Sequence, residues 1–93
     1  MQKQVRAHVI IFGRVQGVFF RVETQRAAQR SGVLGWVRNW PYGTVEAVFE
    51  GSQESVDAIL QWCQEGSNLA IVENVDVSWQ DFTGEYKRFD ITY

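Results

Sequence analysis

The segment GRVQGVFFR (residues 13–21) combines two glycines, three bulky apolar residues and an arginine. Glycine has no Cβ, so Gly13 and Gly17 can adopt left-handed backbone angles and let a ligand approach the main chain. Successive N–H groups in such a loop can converge on an anion, and a helix that begins after it adds unpaired N–H groups. The planar guanidinium of Arg21 suits two phosphate oxygens. The segment predicts a phosphate-binding loop, with a tight turn that buries a phenylalanine as the simpler alternative.

The rest of the chain supplies regular elements around this loop. Residues 4–12 alternate as a strand does and leave His8 on the less apolar face, where we expect a surface residue. Residues 21–32 have helical spacing, with Gly32 as the C-cap. The packing candidates of this helix are Val22, Ala28 and Val33. Later elements are strands over 34–40 and 44–50 joined by a turn at 41–43, an amphipathic helix over 52–66 with Ser52 as N-cap and Gly66 near its end, and strands over 74–82 and 86–93.

The predicted element order is β-α-β-β-α-β with a further C-terminal strand. This is the split β-α-β plan, so we expect an α+β, ferredoxin-like sandwich. Its sheet would have five strands, mixed but mostly antiparallel, with two helices packed on one face. We expect a single domain over residues 1–93.

Chain lengths place Asn39 at the same edge as the loop. Twelve helical residues after Arg21 cover about 18 Å, and six residues of the strand 34–39 return about 20 Å. The two distances nearly cancel, so Asn39 ends at the level where Arg21 began. That edge, at the carboxyl ends of parallel strands, is where α/β units usually bind ligands. A strand-end residue that caps the following turn is the simpler role for Asn39.

Composition excludes several other kinds of function. Eleven acidic and nine basic residues give a net charge of −2, which argues against non-specific nucleic-acid binding. Cys63 is the only cysteine, so we expect a buried residue of the second helix and no intramolecular disulfide. The sequence has neither a signal peptide's apolar core nor an 18-residue apolar stretch, so we expect a cytoplasmic protein without membrane contact. No His or Cys cluster offers a metal site.

The two segments together resemble a known family. GRVQGVFFR (13–21) followed by GWVRNWPYGTVE (35–46) is similar to the paired signatures of the acylphosphatases, and the closing FDITY (89–93) is similar to the family's last strand. The resemblance covers essentially the whole chain. It implies hydrolysis of acyl phosphates, which are carboxyl-phosphate mixed anhydrides, to a carboxylate and inorganic phosphate. It also implies a small-molecule substrate, inorganic phosphate as product and inhibitor, and neither metal nor other cofactor. We expect a monomer.

The resemblance assigns roles by position. Arg21 would clamp the phosphoryl group, and Asn39 would hold the attacking water. Backbone N–H groups of the loop would bind the phosphoryl oxygens, and the loop residues are Val15, Gln16, Gly17, Val18, Phe19 and Phe20. One departure is Tyr42, where many members have a polar residue. We expect it to alter access or turn stability, with the acyl end of the substrate extending past Trp40 and Tyr42.

Two other classes of function stay open on sequence grounds. The same fold serves catalytically silent ligand-binding domains. It also serves RNA-recognition modules, in which strand aromatics stack on bases. The aromatic residues that such a module would use are Trp36, Trp40, Phe49 and Trp79. The negative net charge argues against RNA, and the intact Arg21 and Asn39 argue against a silent domain.

Overall fold

A computed structural model describes residues 3–93 of the chain. Its elements are β1 (Gln4–Arg14), α1 (Phe20–Ser31), β2 (Leu34–Trp40), a short 3-10 turn (Pro41–Gly43), β3 (Thr44–Ser52), α2 (Gln53–Glu65), β4 (Ile71–Gln80) and β5 (Phe89–Ile91). The five strands form one sheet in the order β4-β1-β3-β2-β5. β2 and β5 are parallel, and the other neighbouring strands are antiparallel. The expected mixed sheet is confirmed.

β1 and β2 run in the same direction but are not neighbours. β3 lies between them and pairs antiparallel with both, from Ile11↔Val45 on one side to Asn39↔Val45 on the other. This is the split β-α-β connection, in which α1 carries the chain across the sheet. The ends of β1 and β2 therefore lie at one edge, as the chain lengths predict.

One face of the sheet packs against both helices. The alternation expected for β1 is confirmed, because Val5, Ala7, Val9 and Ile11 are buried. The helical side of the core differs from the expected set, since Val22 is only half-buried. The residues of α1 that are buried are Phe20, Thr24, Ala27 and Ala28. The helix begins one residue earlier than expected. Its first residue is therefore Phe20, whose side chain is buried.

The helix ends follow the sequence signals. Gly32 has φ 74° and its N–H reaches the carbonyl oxygens of Ala28 and Gln29, as expected for a C-cap. The Ser52 hydroxyl accepts a hydrogen bond from the Ser55 N–H at 3.1 Å and caps α2. Cys63 is buried, and burial raises the pKa of its thiol to about 12. Such a thiol is unreactive at neutral pH.

The last strand is much shorter than alternation predicts. Only Phe89–Ile91 pair with β2, although residues 86–93 alternate. The preceding segment is held instead over the face of the sheet that the helices leave open. There the buried Glu50 carboxylate accepts hydrogen bonds from the Thr83 N–H at 2.9 Å, the Gly84 N–H at 3.1 Å and Arg6 at 3.1 Å.

Candidate active site

The loop between β1 and α1 packs part of its side chains into the core. Val15, Val18 and Phe20 are buried, and the Phe20 ring lies 5.5 Å from that of Trp62. Gly17 and Phe19 have φ of 73° and 60°, whereas φ of Val18 is not positive. This alternation in the sign of φ is the backbone condition for a nest of converging N–H groups.

The N–H groups of this turn are available to a ligand. Within the part of the chain that the structure describes, the N–H groups of residues 17–22 donate to no protein acceptor. The first bond of α1 runs from the Glu23 N–H to the Phe19 oxygen at 3.0 Å. Phe19 is the N-cap, and no side chain caps the helix. An anion at this position would satisfy donors that otherwise face solvent.

The two glycines of the motif do different things. A Cβ added to Gly17 would meet no atom within 4 Å, so the space beside it is open. A Cβ at Gly13, where φ is 129°, would overlap the carbonyl oxygen of Ile71. Gly13 lies at the irregular step in the pairing of β1 with β4. The expectation that Gly13 admits a ligand is therefore wrong: its close neighbour is the adjacent strand.

Arg21 lies in the first turn of α1 beside the loop. No carboxylate among residues 3–93 lies within ion-pair distance of its guanidinium. The guanidinium lies over the ring of Tyr93, whose centroid is 5.4 Å from Cζ of Arg21. A cation without an acidic partner, beside the positive end of a helix dipole, makes the local potential positive even though the chain is acidic overall.

Asn39 faces the same side of the sheet as the helices, in line with the buried Val37. It pairs with Val45 at the edge of the sheet. The structure brings Asn39 and Arg21 together as lining residues of one cavity of about 250 Å³. The residues that line it are Val15, Gly17, Phe19, Phe20, Arg21, Val22, Asn39, Ile91 and Tyr93. The predicted convergence of these two side chains at one edge is thus observed.

Gln16 contributes through its side chain, which the sequence analysis did not foresee. Its amide NH₂ donates to the Trp40 oxygen at 2.9 Å and to the Thr44 oxygen at 2.8 Å. These bonds tie the loop to the hairpin turn that follows Asn39. No local periodicity signals such a contact, because it joins residues 24 and 28 positions apart.

The structure adds other features to the site that sequence reasoning missed. Ile91 and Tyr93 reach the cavity because β5 runs parallel beside β2. Val18 does not line this cavity; it lines a neighbouring groove with Phe19. The alternation of residues 86–93 signals a closing strand, but it does not show which strand is the partner. The sequence alone therefore could not place Ile91 and Tyr93 at the site.

Trp40 and Tyr42 do not line the cavity. Tyr42 is fully exposed, with φ of 63° in the turn between β2 and β3. The Trp40 ring lies on the opposite face of the sheet, 4.2 Å from Cζ of Arg38. The presence of Tyr42, where many acylphosphatases have a polar residue, therefore affects the turn and not the cavity. The backbone of the turn is strained for a residue with a Cβ.

The other chemistry-bearing residues lie elsewhere. His8 is a cross-strand residue of the open face, and its Nε2 is 2.7 Å from Glu46 Oε2. Phe49 is buried and stacks on Phe89 with centroids 5.6 Å apart, so it cannot stack on a base. Within residues 3–93 no group of three or more His, Cys, Asp or Glu is placed to hold a metal ion. None of the helices in that part of the chain is long and apolar enough to cross a membrane.

The chain is similar to proteins of one family over nearly its whole length. The family model described as Acylphosphatase matches residues 7–91. An acylphosphatase of Pelotomaculum thermopropionicum is 51% identical over 90 residues, which span 97% of this chain and 98% of that protein. The crystal structure of acylphosphatase from Bacillus subtilis has a TM-score of 0.92 and 31% identity, over 96% of this chain and 99% of that one.

A similar unit occurs within a much larger protein. Full-length HypF, in its phosphate- and nucleotide-bound form, matches with a TM-score of 0.90 and 28% identity, over 100% of this chain but 12% of that one. The match over residues 7–91, together with relatives at about half identity over nearly the whole length, confirms the resemblance found in the two motifs. This chain belongs to the acylphosphatase family, whose members hydrolyse acyl phosphates.

Proposed function

We propose that this chain hydrolyses acyl phosphates by direct attack of water at phosphorus, without a metal ion. The loop N–H groups of Val15 to Phe20 and the Arg21 guanidinium bind the phosphoryl group, and Asn39 holds the water. The observation that carries the proposal is that Arg21 and Asn39, from different elements, line one cavity with a loop whose N–H groups have no protein acceptor within residues 3–93.

The balance of the reaction explains why so few groups suffice. The water oxygen forms a bond to phosphorus, and the bond from phosphorus to the acyl oxygen breaks with its electron pair on the carboxylate. A carboxylic acid has a pKa of about 4 to 5, so this leaving group departs without a general acid. The water proton passes to a phosphate oxygen or to bulk water. What the protein supplies is position and electrostatic stabilisation.

The residues that line the cavity are suited to positioning and electrostatic stabilisation. It contains no histidine, cysteine or carboxylate, and its one charged side chain is Arg21. Asn39 has both a donor and an acceptor, so it can orient a water but is a poor base. We expect the rate to be flat through neutral pH, because the side chains that line the cavity include no histidine, cysteine, aspartate or glutamate. A catalytic group titrating near pH 7 would count against the proposal.

Substitution of Arg21 tests the clamp. We expect Arg21→Ala to lower kcat/KM by about 10³-fold or more, by comparison with arginines that stabilise other phosphoryl-transfer reactions. Arg21→Lys should remain strongly impaired, because an ammonium cannot supply the bidentate fork. Both variants should also weaken competitive inhibition by inorganic phosphate, the product.

A matched control lies one turn further along the same helix. Arg26 is exposed and forms an ion pair with Glu23 at 3.3 Å, outside the cavity. Arg26→Ala should leave both hydrolysis and phosphate inhibition unchanged. The proposal fails if Arg21→Ala retains phosphate inhibition, or if Arg26→Ala loses as much activity as Arg21→Ala does.

A further inference from the structure

A second concave surface adjoins the phosphate cavity. It is a groove of about 470 Å³ between the start of α1, the end of α2 and the loop that follows α2. Its lining residues are Val18, Phe19, Glu23, Trp62, Gly66, Ser67, Asn68 and Leu69. We propose that this groove, hereafter the acyl groove, binds the acyl group of the substrate and makes uncharged, bulky apolar acyl phosphates the preferred substrates. The inference rests on the proposed function.

Phe19 connects the two sites. It lines both the phosphate cavity and the acyl groove, and it is 72% exposed although its neighbours Val18 and Phe20 are buried. Its left-handed conformation, with φ of 60°, places the ring outside the core. A phosphoryl group held by the loop therefore has Phe19 beside it, with the acyl groove on the other side of that ring. An acyl group extending past Phe19 enters the groove directly.

Two apolar side chains that line the groove, Phe19 and Leu69, are largely exposed. Leu69 is 62% exposed, and the Trp62 ring is fixed from behind by its contact with Phe20. Removing such surfaces from water is favourable in proportion to their area. Rigid aromatic walls favour aromatic or large aliphatic acyl groups. An acetyl group carries a single methyl, so it has little apolar area to bury in the groove.

Charge restricts the groove further. Glu23 is its only charged lining residue, and neither lysine nor arginine lines it. A carboxylate on the acyl group would find no cation lining the groove, because Arg26 lies outside it and is already paired with Glu23 at 3.3 Å, and this is unfavourable. The groove thus favours neutral acyl groups.

Steady-state kinetics with two substrates test the acyl groove. We expect the wild type to hydrolyse benzoyl phosphate with kcat/KM at least about tenfold above that for acetyl phosphate. Leu69→Ala should lower kcat/KM for benzoyl phosphate by about three- to tenfold. The change should be a higher KM, because the variant has less apolar area to bury against the acyl group. The same variant should leave acetyl phosphate hydrolysis and inhibition by inorganic phosphate unchanged.

Ile71 provides the matched control, because it is 59% exposed and lies outside the groove. Ile71→Ala should leave the benzoyl-to-acetyl ratio unchanged. A second arm uses succinyl phosphate, whose free carboxylate should make it a poor substrate. Glu23→Gln should raise its kcat/KM several-fold, with no such gain for benzoyl phosphate.

Each outcome separates the two proposals. If the wild type hydrolyses acetyl phosphate and Leu69→Ala leaves the benzoyl-to-acetyl ratio unchanged, the acyl groove is wrong and the proposed function stands. If Tyr42→Asn shifts that ratio instead, the acyl group extends along the hairpin turn and the groove is again wrong. If the folded wild type hydrolyses neither substrate, the proposed function is wrong, and the acyl groove with it.

Discussion

At the scale of single residues, the site depends on groups that bind and orient and not on groups that exchange protons. Arg21 has no acidic partner within residues 3–93, and Asn39 lies across the same cavity. Both side chains come from rigid elements, so their separation is fixed by the sheet and the helix. The loop belongs to neither the sheet nor the helix, and Gln16 is the side chain that bonds it to the hairpin.

We predict that Gln16→Leu lowers kcat by about ten- to a hundredfold. The variant loses the two bonds to the Trp40 and Thr44 oxygens, so the loop and Asn39 are no longer held in one geometry, and small misplacements are costly in catalysis. Inhibition by phosphate should change less, since the loop N–H groups remain. Kinetics and thermal unfolding are to be measured on the same preparations.

Gln25 gives the control for this variant. Its amide also donates to a backbone oxygen, that of Phe89 at 3.0 Å, but outside the cavity. Gln25→Leu should lower the melting temperature with kcat unchanged. A Gln16→Leu variant that is destabilised but retains full kcat would assign Gln16 a purely structural role.

At the scale of elements, the hairpin between β2 and β3 is stable despite one unfavourable residue. Tyr42 has φ of 63° and a fully exposed side chain, so its ring packs against little that would offset the strain. A residue with a Cβ in this conformation costs about 1 to 2 kcal/mol, and asparagine tolerates it better than most.

We predict that Tyr42→Asn stabilises the protein. The gain should be about 0.5 to 1 kcal/mol, which in a domain of this size raises the melting temperature by about 2 to 8 °C. Tyr42→Ala removes the same ring but keeps a residue that disfavours this backbone, so it should give little gain. Equal stabilisation by both variants would show that the exposed ring, and not the backbone, was responsible.

The elements also show what the sequence can and cannot predict. Alternation and helix caps located β1, α1, β2, β3 and α2 closely, and chain lengths placed Asn39 level with Arg21. The predicted strand 86–93 is too long, because pairing with β2 is confined to Phe89–Ile91 and the flanking bonds of Arg88 and Thr92, while Glu50 holds residues 83–84 over the open face. Bonds between polar groups far apart in sequence leave no periodic signal. The role of the Gln16 side chain was not predicted for the same reason.

At the scale of the whole molecule, stability in acid should depend on Glu50. Burial favours the neutral carboxyl, but hydrogen bonds from Thr83 and Gly84 and from Arg6 outweigh it, so the pKa of Glu50 is lowered from its ordinary value. A lowered pKa in the folded state means that this group stabilises the protein at pH values above its unfolded pKa. The contribution is lost as the pH falls through the folded pKa.

We predict that Glu50→Gln lowers the free energy of unfolding at pH 7 by about 1.5 to 3 kcal/mol, since one amide cannot accept all the bonds that the carboxylate accepts. The difference from the wild type should begin to shrink below about pH 4.3, where the unfolded carboxylate takes up a proton first, and should shrink further until the folded carboxyl is protonated as well. Denaturant unfolding at pH 7, 5 and 3.5 measures it. A difference that stays constant over this range would show that the charge of Glu50 contributes nothing.

The central claim is that Asn39 positions a water against a phosphoryl group bound without metal. The most direct measurement is phosphate release from benzoyl phosphate by the wild type and by Asn39→Ala, each with and without a chelator. We predict rapid hydrolysis by the wild type that the chelator does not change. Asn39→Ala should reduce kcat by about 10²- to 10³-fold while inhibition by phosphate is largely retained. Loss of wild-type activity in chelator, or an Asn39→Ala variant that loses phosphate binding instead of turnover, would contradict the account.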